Sequence, residues 1–177
     1  VPKNRRIAFE LSFGGRQWQE ATLYTFCQNG QCADGAGPAA PLAMDAGGNL
    51  YGTTNGGGPS DQGVVFKIVP SGENSQETVL HEFCSLANCA DGSSPQSGLI
   101  VDANGDLFGT TSDGGIYSQF GGTVFKLRSN KFKLLYSVCA LSDCRDGTEP
   151  TTGVIMNQAG HLFVPTAVPV ARAPFSS

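Results

Sequence analysis

Apolar positions along this chain come in short runs that alternate with polar ones, and Gly, Asp, Asn or Pro closes each run. The stretches 77–83, 98–101, 106–111 and 122–127 carry the β-branched and aromatic residues of strands, as in Thr78-Val79-Leu80-His81-Glu82-Phe83 and Thr123-Val124-Phe125-Lys126-Leu127. Between the second and third, Asp102-Ala103-Asn104-Gly105-Asp106 supplies the positive-φ residues of a tight hairpin turn. No segment keeps apolar residues at i, i+3, i+4 and i+7 through three turns, so the chain is expected to be all-β.

The pattern repeats. Ala21-Thr22-Leu23-Tyr24-Thr25-Phe26-Cys27 aligns with Thr78–Cys84 and with Lys133–Cys139, at steps of 57 and 55 residues. Behind each first Cys follow a second (Cys32, Cys89, Cys144), an Asp-Gly (Asp34, Asp91, Asp146) and a Pro (Pro38, Pro95, Pro150). Leu42/Leu99/Val154, Asp45/Asp102/Asn157, Gly48/Gly105/Gly160 and Leu50/Leu107/Leu162 continue the register. Four strands per copy of this length match one β-propeller blade. The expected fold is therefore propeller-like, with about three four-stranded blades: repeat one at 21–69, repeat two at 77–128 and an incomplete repeat three at 132–163. Residues 5–12 contain Ile7-Ala8-Phe9-Glu10-Leu11, which matches the fourth-strand signatures Val64–Ile68 and Thr123–Leu127, so this strand is expected to close the last blade. Three blades fall short of the roughly four to eight of closed rings, which predicts a homodimer completing a six-bladed ring, or a fragment whose open faces pair with themselves. In the tail 164–177, Val164-Pro165-Thr166 replaces the Gly-Thr-Thr of 52–54 and 109–111 and the register is lost. That tail reads as a cloned or frameshifted end without a regular strand.

Composition narrows the classes. The 177 residues include 24 Gly without a Gly-X-Y period, and 40% are hydrophobic, which excludes collagen and simple disorder. Only 15% are charged and the formal net charge is -4, which offers a nucleic acid no electrostatic footing. No apolar run approaches the roughly 18 residues of a membrane span, so a mature, soluble chain is expected.

Leu23-Tyr24-Thr25-Phe26-Cys27, the Ala-Asp-Gly after the second Cys, the Asp-Ala-x-Gly-Asn/Asp-Leu-Tyr/Phe-Gly-Thr-Thr of 45–54 and 102–111, and Gly122-Thr123-Val124-Phe125-Lys126-Leu127 recur at fixed spacing. Over about residues 5–163 the chain resembles the Gly-Thr-Thr tandem-repeat, or GloVer-repeat, proteins of secreted and surface-anchored bacterial chains. The resemblance implies a propeller-like extracellular array, extracellular or periplasmic, and implies little about activity.

Six cysteines allow 15 pairings, and repetition selects Cys27–Cys32, Cys84–Cys89 and Cys139–Cys144 as disulfides. A zinc reading is weaker, because the pairs lie about 50 residues apart. Asp45, Asn49, Asp102, Asn104 and Asp106 offer oxygens that a calcium ion would accept; the alternative is Asx turns, since no bidentate Glu follows at the required spacing. His81 occupies the column of Tyr24 and Tyr136 and reads as an aromatic-sized strand residue. His161 replaces Asn49 and Asp106 in a turn column and, with Asp102, is the catalytic candidate, although no Gly-x-Ser-x-Gly elbow is present. The Thr pairs of 53–54 and 110–111 read as core, with a channel lining as the alternative.

Two functions follow. One is a secreted module whose Gly-rich loops, 55–58 and 113–115, bind a small molecule, carbohydrate or protein. The other, by fold analogy, is a calcium-dependent lactonase or esterase, acting for example on acyl-homoserine lactones, in which the cation polarises a carbonyl and activates water.

Overall fold

The computed structural model describes residues 6–28, 30–38, 40–72, 74–117 and 120–167. β1 (Ile7–Gly14) and β2 (Gln17–Thr25) form a hairpin across Gly15-Arg16, both at positive φ as a two-residue hairpin turn requires. A five-stranded sheet follows, made of β3 (Ala36–Pro38), β4 (Ala43–Met44), β5 (Leu50–Gly56), β6 (Val64–Val69) and β7 (Gln76–Glu82), in which β3 and β4 both pair with β5. The next sheet has four strands, β8 (Ile100–Val101), β9 (Leu107–Thr111), β10 (Thr123–Arg128) and β11 (Lys131–Ser137), and β12 (Ile155–Met156) with β13 (Leu162–Phe163) forms a last hairpin. Every pairing is antiparallel. Two single 3-10 turns, Ala87–Cys89 and Ser142–Cys144, lie in the cysteine loops. Among the described residues no helix is long and apolar enough to cross a membrane.

The all-β expectation holds, but the sheets are out of phase with the repeats. Each complete sheet takes its last strand, β7 or β11, from the repeat that follows in sequence. The reason is connection length: β10 and β11 are joined by Ser129-Asn130 alone, whereas a disulfide loop separates β7 from β8, and antiparallel neighbours pair where the chain returns at once. The expected closure of the last blade by the N-terminal strand is not formed within one chain among the described residues. β1 pairs with β2 and with no other described strand, and no described strand joins β12–β13 to β1.

The three hairpins β1–β2, β6–β7 and β10–β11 share one register, with a bulge at Ala8/Phe9, Val65/Phe66 and Val124/Phe125. Apolar residues between successive sheets make the core. Phe66 and Ile68 of β6 pack with Ala8 of β1 and with Phe26 just past β2, and Phe125 and Leu127 of β10 pack with Val65 and Phe83. The Gly of each Gly-Thr-Thr exists for this packing: a Cβ on Gly109 would lie 2.7 Å from Phe125 Cζ and 2.6 Å from Leu99 Cδ2. All four Thr are buried, as core residues, and Thr53 Oγ1 donates to the Ser97 carbonyl while Thr110 Oγ1 donates to that of Pro150, tying each sheet to the next repeat.

Candidate functional site

The three disulfides join the cysteines paired by repetition, and each closes a loop around the Asp of the following Asp-Gly. Asp34 accepts the Tyr24 hydroxyl at 3.0 Å and the Cys27 N–H at 2.9 Å. Asp146 accepts the Tyr136 hydroxyl at 2.6 Å and the N–H groups of Ala140 and Leu141. In the middle copy the buried Asp91 accepts the Ser85 N–H and Oγ and the Leu86 N–H. His81 replaces Tyr there, its Nε2 3.3 Å from Asp91 Oδ2 without the alignment of a hydrogen bond. The sequence carried a signal for this contact, an aromatic or His ten residues before every loop Asp, which repeat alignment alone left uninterpreted. The Gly behind the Asp adopts a φ of 95° to 98° in all three copies. At Gly35 a Cβ would come within 2.5 Å of Thr54 Oγ1.

Ser85, Asp91 and His81 are the residue types of a hydrolytic triad in the wrong order. Ser85 donates to Asp91 and not to His81, whereas a serine nucleophile needs the imidazole between itself and the carboxylate. Burial lowers the His81 pKa despite Asp91, and its ring stacks on Phe132 at 4.1 Å. This is a packed side chain in its neutral form, in agreement with its strand-residue reading.

The residues considered for calcium or catalysis lie in three equivalent turns. Asp45 Oδ1 accepts the N–H groups of Gly47 and Asn49, while Oδ2 accepts Asn49 Nδ2 and the Tyr51 hydroxyl. These bonds, Asn49 foremost, hold the Asp45 carboxyl down at about 2, and burial together with Asp45 pushes Tyr51 up to about 12. Asp102 Oδ1 accepts the N–H groups of Asn104 and Asp106, and Asn157 Oδ1 those of Ala159 and His161. The Asp106 carboxylate is instead buried between Lys126 Nζ at 2.5 Å and Arg128 Nε at 3.3 Å. These carboxylate and amide oxygens close Asx turns. Among the described residues no group of three or more His, Cys, Asp or Glu side chains is placed to hold a metal ion. His161 is exposed in the β12–β13 turn and Asp102 lies in the β8–β9 turn, with no hydrogen bond or ion pair joining them.

Glu77 is a titrating group that the sequence did not single out. Burial, with the Asp34 carboxylate adding to it, pushes its carboxyl up to about 7. The unfolded chain releases this proton near the ordinary Glu value and the folded chain holds it to about 7. Stability from this group is therefore full below the ordinary value and declines as pH rises through 7. Because Glu77 is only partly buried, solvent screening reduces the loss to about 1–2 kcal/mol. Glu77→Gln should match the wild type in denaturant unfolding at pH 4 and exceed it by that amount at pH 8. His81 acts in the opposite direction, losing stability as pH falls below 6.5, and cancels in the comparison.

One surface cluster brings unlike positions of the sequence together. Across the β10–β11 register Lys126 faces Lys133 and Arg128 faces Lys131, on either side of Ser129-Asn130. They border an open cavity of about 460 Å3, with Lys126 Nζ over the Phe108 ring at 5.1 Å. Like charges directly opposite in a sheet repel, and among the described residues Asp106 supplies the one carboxylate bonded to this group.

No curated protein matches the chain. The model of the Gloeobacter/Verrucomicrobia repeat matches residues 3–167, which span all three cysteine loops and all four sheets. The chain, with its recurring hairpin register and loop-closing Asp, belongs to the Gloeobacter/Verrucomicrobia repeat family.

Proposed function

We propose that this chain is an extracellular or periplasmic repeat module that binds an anionic ligand, an acidic polysaccharide, on the β10–β11 hairpin. The observation that carries the reading is the pairing of Lys126 with Lys133 and of Arg128 with Lys131 in a chain of net charge -4. Asp106 offsets only part of the charge of Lys126 and Arg128, Lys131 and Lys133 lie directly opposite them, and a bound polyanion relieves the remaining repulsion. A polymer of carboxylated or sulfated sugars presents anionic groups in series, as two successive cation pairs along a hairpin require. Three disulfides suit an oxidising compartment. No arrangement of the described residues favours the calcium-dependent hydrolase.

The test is retention on immobilised alginate against neutral dextran. At low salt the wild type should be retained on alginate alone and released by salt. Lys131→Glu with Lys133→Glu, both on exposed side chains, should weaken binding at least about tenfold, or 1.4 kcal/mol. Equal retention on dextran, or binding indifferent to the charge reversal, sinks the reading.

A further inference from the structure

The internal repetition supplies two complete sheet junctions against which the ends of the stack can be compared. In both, the aromatic and aliphatic residues of one strand are lost from solvent: Phe66 and Ile68 against Ala8 and Phe26, Phe125 and Leu127 against Val65 and Phe83. β1 has the same register and bulge as β6 and β10, and its matching residues Phe9 and Leu11 are 48% and 55% exposed. At the other end of the stack, Val124, Leu135, Tyr136, Val138 and Leu162 line an open cavity of about 330 Å3. Four of them match Val65, Leu80, Phe83 and Leu107, which surround Phe125 and Leu127 in the complete junction. The chain thus carries an uncovered plug and an unfilled socket of one family of shapes, each beside a strand edge that no described strand pairs.

We infer that β1–β2 of a second copy of this chain docks beside β13, with Leu11 opposite Leu162 and Glu10 opposite Phe163, and seats Phe9 and Leu11 in this cavity. The register is that of Leu107↔Leu127 and Phe108↔Lys126 in the β9–β10 pair, and of Leu50↔Ile68 and Tyr51↔Lys67 in the β5–β6 pair. The docked hairpin turns β12–β13 into a four-stranded sheet. Two such junctions between two copies of this 177-residue chain make a ring of six sheets, inside the roughly four to eight that rings accommodate. This assembly stands apart from the anionic-ligand reading, since none of its residues belongs to the cation cluster.

Val138 stands in the socket where Phe26 and Phe83 stand, and two positions beside β13 also depart from the repeat. Pro165 stands where Thr53 and Thr110 stand, and β13 ends at Phe163, so side-chain burial rather than a long ladder carries the contact. Val164 stands where Gly52 and Gly109 leave room for a Phe ring. Its side chain narrows the socket, and removing it is expected to strengthen the junction.

Light scattering across a concentration series tests the assembly. The wild type should reach twice the chain mass, and Val164→Gly should do so at about tenfold lower concentration. Phe9→Asp, which blocks the plug, and Val164→Arg, which blocks the socket, should each remain at one chain mass. Mixing these two should restore a two-chain species, because one intact plug still meets one intact socket; a face-to-face contact between identical surfaces would gain nothing from mixing. Both substitutions fall at exposed or half-exposed positions, and Leu11→Asp replaces Phe9→Asp should that variant lose its β circular dichroism. A wild type at one chain mass throughout, a ladder of higher multiples, an unaffected Phe9→Asp, or no recovery on mixing overturns the inference.

Discussion

Asp91→Ala is expected to destabilise the chain by about 3 kcal/mol, because two N–H groups and a hydroxyl bonded to a buried charge lose their acceptor together. Asp91 has no solvent exposure, so water cannot substitute for the lost carboxylate, and its bonds to Ser85 and Leu86 hold the entry to the Cys84–Cys89 loop. Asp91→Asn keeps one carbonyl acceptor and should cost roughly half as much. The Asp146 carboxyl, held down at about 2 by the Tyr136 hydroxyl, makes equivalent bonds at the edge of the stack. Water reaches that site, and Asp146→Ala should cost clearly less. Guanidinium unfolding with the disulfides intact measures all three. Equal losses at 91 and 146 would show that loop chemistry, and not burial, sets the penalty.

Phe125→Ala should cost about 4 kcal/mol, the sum of lost transfer energy and a cavity that rigid sheets cannot collapse. The ring is fully buried, meets Phe83 edge-on at 5.2 Å and lies near Phe132 at 5.7 Å. Gly109→Ala attacks the same packing from the other side and should cost about 1–3 kcal/mol by overpacking. The double variant should lose clearly less than the two single losses added, since the new methyl occupies part of the space the ring vacates. Additive losses would mean that the Gly of Gly-Thr-Thr serves something other than this ring. Phe9→Ala in the isolated chain, at an exposed site, should lose well under half of what Phe125→Ala loses.

Much of the local structure was legible. Alternation and turn residues anticipated strands at 77–83, 106–111 and 122–127, and the observed ones are Gln76–Glu82, Leu107–Thr111 and Thr123–Arg128. The stretch 98–101 shortened to Ile100–Val101. Pairing of the cysteines followed from three copies of one spacing, and the Asp-x-x-Gly turns from Asx chemistry. The contact between loop Asp and strand Tyr or His was not read, though each pair is ten residues apart, because the direction of a side chain leaving a strand depends on the bulge before it. Nor was the cation cluster: Lys126 and Lys133 are ordinary surface residues until the Ser129-Asn130 turn sets them opposite each other.

What the sequence by itself determined is therefore everything governed by a residue's near neighbours: strand positions, turn types, the repeat and its disulfides. Membership of the repeat family belongs with these, since a family model reads the same recurring local spacings. Only the tertiary structure decided which strands share a sheet, that β1 pairs with β2, and which faces stay uncovered at Phe9 and Leu11. The reason is that every hairpin here carries nearly the same edge and the same apolar face. Identical local patterns leave several pairings open, and connection length and packing between sheets select among them.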